Sequence, residues 1–388
     1  MNGEEKEIQI HTLSEESTSA LLLTEQFSEP LEENLVIVQR SLAFGVAILI
    51  LCSMFYIGFI VFGEDGFVTY RPSEVAIESQ EIYFDLIDSS GTELNGNNVR
   101  VCIVDSGLMT EHNDLESFNL VLWKDFINGE SKPYDDNGHG TSMAGILVAD
   151  GWMKGIAPGV DLLVAKALAK NGSGSDTLVA EAIDWCVTND ADIISLSLGG
   201  APDLIPFDLG MNGRGSDEAT NDAVDQGVIV VAAAGNDGGV NDDGDVSNPC
   251  GERLVICVGG ATQSGEHWLG SSIGDNDGNL IPLLFPRSDP NKKPELVAPG
   301  EKVPVINFEG SWSLVDGTSA ATVYVTGAIA LLLQQHPELT DAASDSNSEQ
   351  VKEWLRQSVL PQDGQSGHDD NYGYGLLQIQ ALLDTANA

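Results

Sequence analysis

Basic residues are scarce in this chain: 17 Lys and Arg stand against 60 Asp and Glu, a formal charge of -43 over 388 positions. A protein that binds nucleic acid by neutralising phosphates needs the opposite balance, so nucleic acid is excluded as a partner. Aromatic residues are also few, at 6%, yet 42% of the chain is hydrophobic, which is enough apolar material for a packed core. The acidity therefore describes a solvated surface rather than disorder. Such a surface repels itself unless counterions screen it, as in proteins from saline habitats.

Cysteine occurs only five times. Cys102 and Cys257 fall in apolar strand patterns and Cys186 on an apolar helix, where a free thiol serves as a small core residue. Cys250 sits in a turn after Pro249. A disulfide from Cys250 to one of the others would suit an external compartment, but spacing alone selects no pair.

Long uncharged hydrophobic runs are missing, with one exception. Ser41 to Phe62 carries no charge over 22 residues, long enough for a helix to cross ~30 Å of hydrocarbon. The apolar core of a cleaved signal peptide is only about 7–15 residues and lies near the terminus, so a retained transmembrane helix at 41–62 fits better. Large Leu49, Ile50 and Leu51 before Cys52 argue against a lipid anchor there. Residues 1–40 hold nine Glu and one aromatic, Phe27, the composition of an acidic disordered tail. Arg40 on one flank of the span, with Glu64 and Asp65 on the other, places the amino terminus in the cytoplasm and the rest of the chain outside. Residues 63–74 then read as a linker. From about 75 onward strand and helix patterns alternate without interruption, so 75–388 is one domain despite its length.

Within that domain, Val99 to Val104 is a short apolar strand ending at Asp105. Asp161 to Leu168, Ile193 to Leu198 and Val228 to Ala234 are continuous apolar runs of the kind found in buried parallel strands. Helical patterns cover Asp176 to Thr188 and Asp217 to Gln226, and a dense apolar helix opens at His139 and stops near Asp150. The last strong helix runs from Ser319 to His336 and is closed by Pro337. Three segments carry chemistry on this frame: Val-Cys-Ile-Val-Asp105-Ser-Gly, Asp-Asn-Gly-His139-Gly-Thr-Ser and Asp-Gly-Thr-Ser319-Ala-Ala. A serine hydroxyl is a weak nucleophile at neutral pH and needs a base, and a neutral imidazole can take its proton while an aspartate fixes the tautomer. The order Asp, His, Ser is one of the known orders of this triad. At a helix start, Ser319 also offers its own N–H to a developing oxyanion, and Asn236, after Val-Val-Ala-Ala-Ala-Gly, supplies a second donor.

Taken together, these segments resemble the subtilisin-like serine protease (subtilase) family over roughly residues 75–385. Ala182 to Gly200 and Leu296-Val-Ala-Pro-Gly300 are similar to family segments as well. The resemblance implies an α/β, subtilisin-like three-layer fold with a mainly parallel buried sheet, preceded here by the one transmembrane helix. It implies a serine endopeptidase acting on peptide or protein substrates. It also assigns Ser197, Leu198, Gly199 and Gly200 on one side, and Ala233, Ala234 and Gly235 on the other, to a cleft that takes an extended peptide by strand addition. No cofactor is required for this chemistry. A structural calcium is compatible with the acidic loop Asp237, Asp242, Asp243 and Asp245, although no EF-hand spacing is present; the metal ligands themselves stay unassigned. Asp237 and Asp245 are also placed to attract a basic substrate residue before the scissile bond. The alternatives are a protein that keeps the fold and grips peptides without cutting, and a peptide cyclase using the same site.

Two segments depart from the family pattern. Ser142 stands where a second histidine is usual, and Ala320-Ala-Thr-Val-Tyr324 replaces Met-Ala-Ser-Pro-His. The segment between the membrane span and Asp105 is too short to hold the folding propeptide domain that many secreted members carry.

Overall fold

The computed structural model describes residues 15–62, 71–200, 214–242, 244–278, 286–340 and 345–388. Two compact units divide the chain, 1–70 and 71–388. The expected tail at 1–14, the linker residues 63–70 and Asp243 lie outside the described residues.

The described residues of the first unit form one helix, α1 (Glu15–Phe62). Residues 15–40, which composition alone suggested as a tail, continue the same helix as the apolar run. Within it, Asn34–Val61 has a mean hydropathy of 2.5 over its most apolar window, and at 1.5 Å per residue this stretch is about 42 Å long. Its large apolar side chains are exposed, Leu49 at 68% and Phe55 at 80%. By length and composition the helix is able to cross a membrane.

The second unit starts with α2 (Glu74–Leu86), capped by Ser73, whose hydroxyl accepts from the Ala76 N–H. Seven strands then form one sheet: β1 (Arg100–Asp105), β2 (Asn119–Asp125), β3 (Asp161–Lys166), β4 (Ile193–Leu196), β5 (Ile229–Ala233), β6 (Ile256–Ala261) and β7 (Leu296–Pro299). Their order is β2-β3-β1-β4-β5-β6-β7, and every pairing is parallel. A separate antiparallel pair, β8 (Val303–Ile306) and β9 (Trp312–Val315), completes the strands. The helices are α3 (His139–Val148), α4 (Asp176–Thr188), α5 (Ser216–Asp225), α6 (Thr318–Gln335), α7 (Asp345–Ser358) and α8 (Ile379–Ala386).

Alternation along each strand sorts the core into two faces. Val101 and Ile103 of β1 join Leu162, Val164, Ile193, Val231 and Val258 in a cluster with α3, α6 and α8. Cys102 and Val104 join Leu163, Ala165, Ile194, Val230 and Ala232 in a second cluster with α4 and α5. Helix, sheet and helix thus make three layers, and burial on both faces explains why the central strands read as unbroken apolar runs. Edge strand β2 is mostly exposed on its length; its mixed composition carries no such signal, and sequence reading missed it.

The cysteines correct an expectation. Cys102 and Cys186 are buried, as a core role requires, but they are joined by a disulfide with Cα atoms 5.8 Å apart, and Cys250 is joined to Cys257 at 4.9 Å. Both spacings lie within disulfide reach. Cys52 is free and exposed.

Candidate active site

Asp105 ends β1 and His139 opens α3, so two elements from neighbouring parts of the fold deliver the first two residues. The fully buried Asp105 carboxylate meets His139 Nδ1 at 2.8 and 2.9 Å from its two oxygens. The imidazole keeps 35% of its side-chain surface open. The Asp105 charge beside it raises the His139 pKa above its usual 6.5, against burial, which acts in the opposite sense. The turn into α3 demands glycine at 138, where φ is +100° and a Cβ would come within 2.3 Å of the Phe308 ring.

Two residues that sequence reading passed over hold this corner. Asp135, buried behind the helix start, accepts the N–H groups of Asn137, Gly138 and Thr141 at 3.1, 2.8 and 2.9 Å, and the Thr141 hydroxyl at 2.7 Å. Burial alone would raise its pKa, but these donors outweigh it and hold the carboxyl below 3.8. Ser106 donates to the same carboxylate at 3.0 Å and accepts the Gly140 N–H at 2.9 Å. The residue after the aspartate is thereby tied to the residue after the histidine. The Asp-Asp-Asn-Gly run just before His139 was the available signal, since Asp side chains commonly accept N–H groups of the turn that follows them.

Ser319 lies in the first turn of α6, whose leading N–H groups have no helical partner. Its hydroxyl donates to the carbonyl of Ser197 at 3.0 Å, and the Ser197 hydroxyl returns a bond to the Ser319 carbonyl at 3.0 Å. Among the described residues, no hydrogen bond joins Ser319 to His139. Asn236 follows β5, and its Oδ1 accepts from the Thr318 N–H at 2.9 Å and the Thr318 hydroxyl at 3.0 Å. The carboxamide oxygen is thus committed to Thr318, which leaves the Asn236 NH2 as the donor end. Thr318, adjacent to the serine in the quoted motif, is a further positioning residue that sequence reading did not single out.

A cavity of about 740 Å³ opens beside His139. Ser197, Leu198, Gly199 and Gly200 line one wall, and the loop after β3, from Leu168 through Gly172 to Thr177, lines the other. The expected peptide-pairing backbone narrows, however. Gly200 exchanges both backbone bonds with Asn248 at 3.1 and 3.2 Å. Ala234 bonds Val258 and Ser247, Gly235 bonds Ser272 and Thr318, and Ala233 sits inside the β5–β6 ladder. Ser197 to Gly199 lie past the β4 ladder, which ends at Leu196.

The acidic loop also differs from expectation. Asp245 is held by both guanidinium nitrogens of Arg287 at 2.8 and 2.9 Å, and Asp237 accepts from the Ser272 hydroxyl. Burial, with help from the neighbouring Asp237 and Asp245, raises the pKa of Asp242. Asp245 is therefore already charge-paired and is not the carboxylate that would meet a basic substrate. The carboxylates that line the cavity are Asp176 and Asp217, which flank Gly215. Among the described residues no cation is paired with either, and no group of three or more His, Cys, Asp or Glu converges as a metal cage.

Where the family pattern is broken, the substitutes are packed. Ser142 donates to Gly138 O at 3.1 Å and Ile306 O at 2.8 Å, and Tyr324 is buried with its ring 6.5 Å from that of Tyr83.

A parallel sheet covered by helices on both faces, with Asp105 ending β1, Asn236 shortly after β5, His139 opening α3 and Ser319 in the first turn of α6, is a three-layer α/β architecture whose candidate site lies at strand and helix ends. The subtilase (Peptidase S8) family model matches residues 96–375, and the chain belongs to that family. Subtilisin NAT of Bacillus subtilis subsp. natto is 30% identical over 290 residues, which are 74% of this chain and 66% of that protein. Subtilisin of Bacillus pumilus is 30% identical over 74% of this chain and 91% of its own length. Of solved structures, a cold-adapted subtilisin-like serine proteinase superposes with a TM-score of 0.56 at 24% identity, covering 74% of this chain and 91% of that one. The protease domain of PatA, in a mutant form, does so at 0.61 and 23%, covering 76% and 98%. At these identities the likeness shows the fold.

Proposed function

We propose that this chain is a membrane-anchored serine endopeptidase whose catalytic domain lies outside the cytoplasm. The observation that carries the reading is the Asp105–His139 pair at 2.8 Å, with His139 and Ser197 bordering one cavity and Ser319, in the first turn of α6, hydrogen-bonded to Ser197. In the reaction, Ser319 turns from the Ser197 carbonyl toward His139, gives its proton to Nε2 and attacks the substrate carbonyl carbon. The carbonyl oxygen takes the negative charge and is met by the Ser319 N–H and the Asn236 NH2. Protonated His139 then passes its proton to the leaving amine, leaving an acyl ester on Ser319. Water, deprotonated by the same imidazole, releases the acid. Asp105 holds the imidazole's tautomer and stabilises its charged form. Two buried disulfides in the domain suit an oxidising, extracytoplasmic compartment, and α1 supplies the anchor.

One experiment tests chemistry and placement together. A membrane-impermeant fluorophosphonate probe on intact cells should label the protein, and Ser319→Ala should abolish both labelling and turnover; the size carried over from subtilisin is on the order of 10⁶ in kcat. Peptide hydrolysis surviving in purified Ser319→Ala protein overturns the nucleophile, and labelling seen only after lysis reverses the orientation. Product masses showing joined rather than cut peptide would favour a cyclase.

A further inference from the structure

Lys166 is the last residue of β3 and is fully buried. In the sheet register it stands opposite Asp105 on one side and Asp125 on the other. An ammonium has three N–H donors, and here all three are used: on the carbonyl of Ser106, on Asp136 Oδ1 at 2.7 Å and on the carbonyl of Leu168 at 3.1 Å. The Tyr134 ring lies 4.8 Å from the nitrogen. A buried, unpaired ammonium would be costly, and each of these contacts repays part of that cost.

The three anchors are informative by their positions. Ser106 directly follows Asp105, Asp136 lies three residues before His139, and Leu168 borders the cavity. Asp135 and Asp136 are neighbours with divided work. Asp135 caps the start of α3, while Asp136 turns back to the buried lysine. We propose that the Lys166–Asp136 ion pair is a positioning device for the active site: it clamps the strand end that carries Asp105 to the loop that leads into His139, and it balances charge next to both segments. This inference rests on the endopeptidase reading above. Lys166 does not touch substrate; it acts through Ser106 and Asp136.

The charges near His139 come from several elements. Asp105 of β1 and Asp135 of the loop before α3 act on the imidazole directly; Asp136 of the same loop is paired with Lys166 of β3, and Asp176 and Asp217 line the same cavity as His139. Removing the lysine charge alone leaves Asp136 uncompensated, which favours the imidazolium and raises the pH at which His139 becomes an active base. Removing the Asp136 charge alone has the opposite sign.

The test uses the full chain in detergent micelles, with Lys166→Met, Asp136→Asn and the double variant, each normalised to active sites counted by fluorophosphonate titration. Lys166→Met should lower kcat by about tenfold or more with KM little changed, since a displacement on the order of 1 Å at a catalytic pair is worth up to ~10² in rate. Its acid limb should move up in pH, and that of Asp136→Asn should move down, by roughly half a unit each. The double variant should restore the limb toward the parent while kcat stays low. Should Lys166→Met fail to fold, Asp136→Asn, whose side chain is 35% exposed, still reads the downward shift and the loss in kcat. A fall in melting temperature with per-site kcat and acid limb both unmoved in Asp136→Asn overturns the inference. If the parent chain cleaves no peptide and takes no probe, the endopeptidase reading itself has failed.

Discussion

At the scale of single residues, the site is a set of committed hydrogen bonds. Asn236 illustrates the point: its Oδ1 is engaged twice by Thr318, so the amide orientation follows from its neighbour and not from the loop. Asn236→Leu should therefore lower kcat by about 10² to 10³, the size seen in subtilisin, with KM nearly constant. A defect confined to KM would make the residue a ground-state binder. His139 supplies the second residue-level expectation. The base must be neutral to accept the Ser319 proton, and the Asp105 charge raises its pKa above 6.5. Activity should accordingly be lost as pH falls, with the midpoint of the acid limb of kcat/KM above 6.5 in the parent. A limb centred below that value would mean that burial outweighs Asp105.

At the scale of elements, strand and helix ends do the positioning. Asp105 ends β1, Asn236 and the 197–199 segment follow β5 and β4, His139 opens α3 and Ser319 lies in the first turn of α6. A peptide paired along 197–199 would send alternate side chains to opposite faces, and the cavity lined by 197–199 also holds Asp176 at the start of α4 and Asp217 at the start of α5. Peptides with Arg or Lys near the scissile bond should be cut faster than their Gln counterparts. Asp176→Asn with Asp217→Asn, which keeps the acceptors used by the Ser216 and Glu218 N–H groups, should reduce that ratio by about fivefold or less per carboxylate, as partly exposed pairs allow. A peptide-library profile identical in parent and double variant would remove the idea.

At the scale of the molecule, charge is the dominant fact. At -43, mutual repulsion opposes compaction, and salt relieves it by shortening the Debye length from ~10 Å at 0.1 M to ~3 Å at 1 M. The melting temperature of the catalytic domain should rise across that range, while the preference for basic peptides should weaken. A melting temperature indifferent to salt would show that local pairs such as Asp245–Arg287 already neutralise what matters.

Much of this was legible in the linear chain because the underlying physics is local. An apolar run buried on both faces, a helix opened by His139 or Ser319, and an uncharged stretch of 22 residues each announce themselves within a short window. The candidate triad residues stand out in the sequence because each lies at the end or start of such an element. What the tertiary structure alone decided involves partners far apart in sequence. Cys102 meets Cys186 across 84 residues, Asp245 meets Arg287 across 42, and Lys166 meets Asp136 across 30. Gly200 is bonded to Asn248 rather than left open for a peptide. No local pattern encodes these choices, since any of several acidic residues or thiols would satisfy the same chemistry. Sheet order and helix packing select among them, because they bring one particular pair within bonding distance.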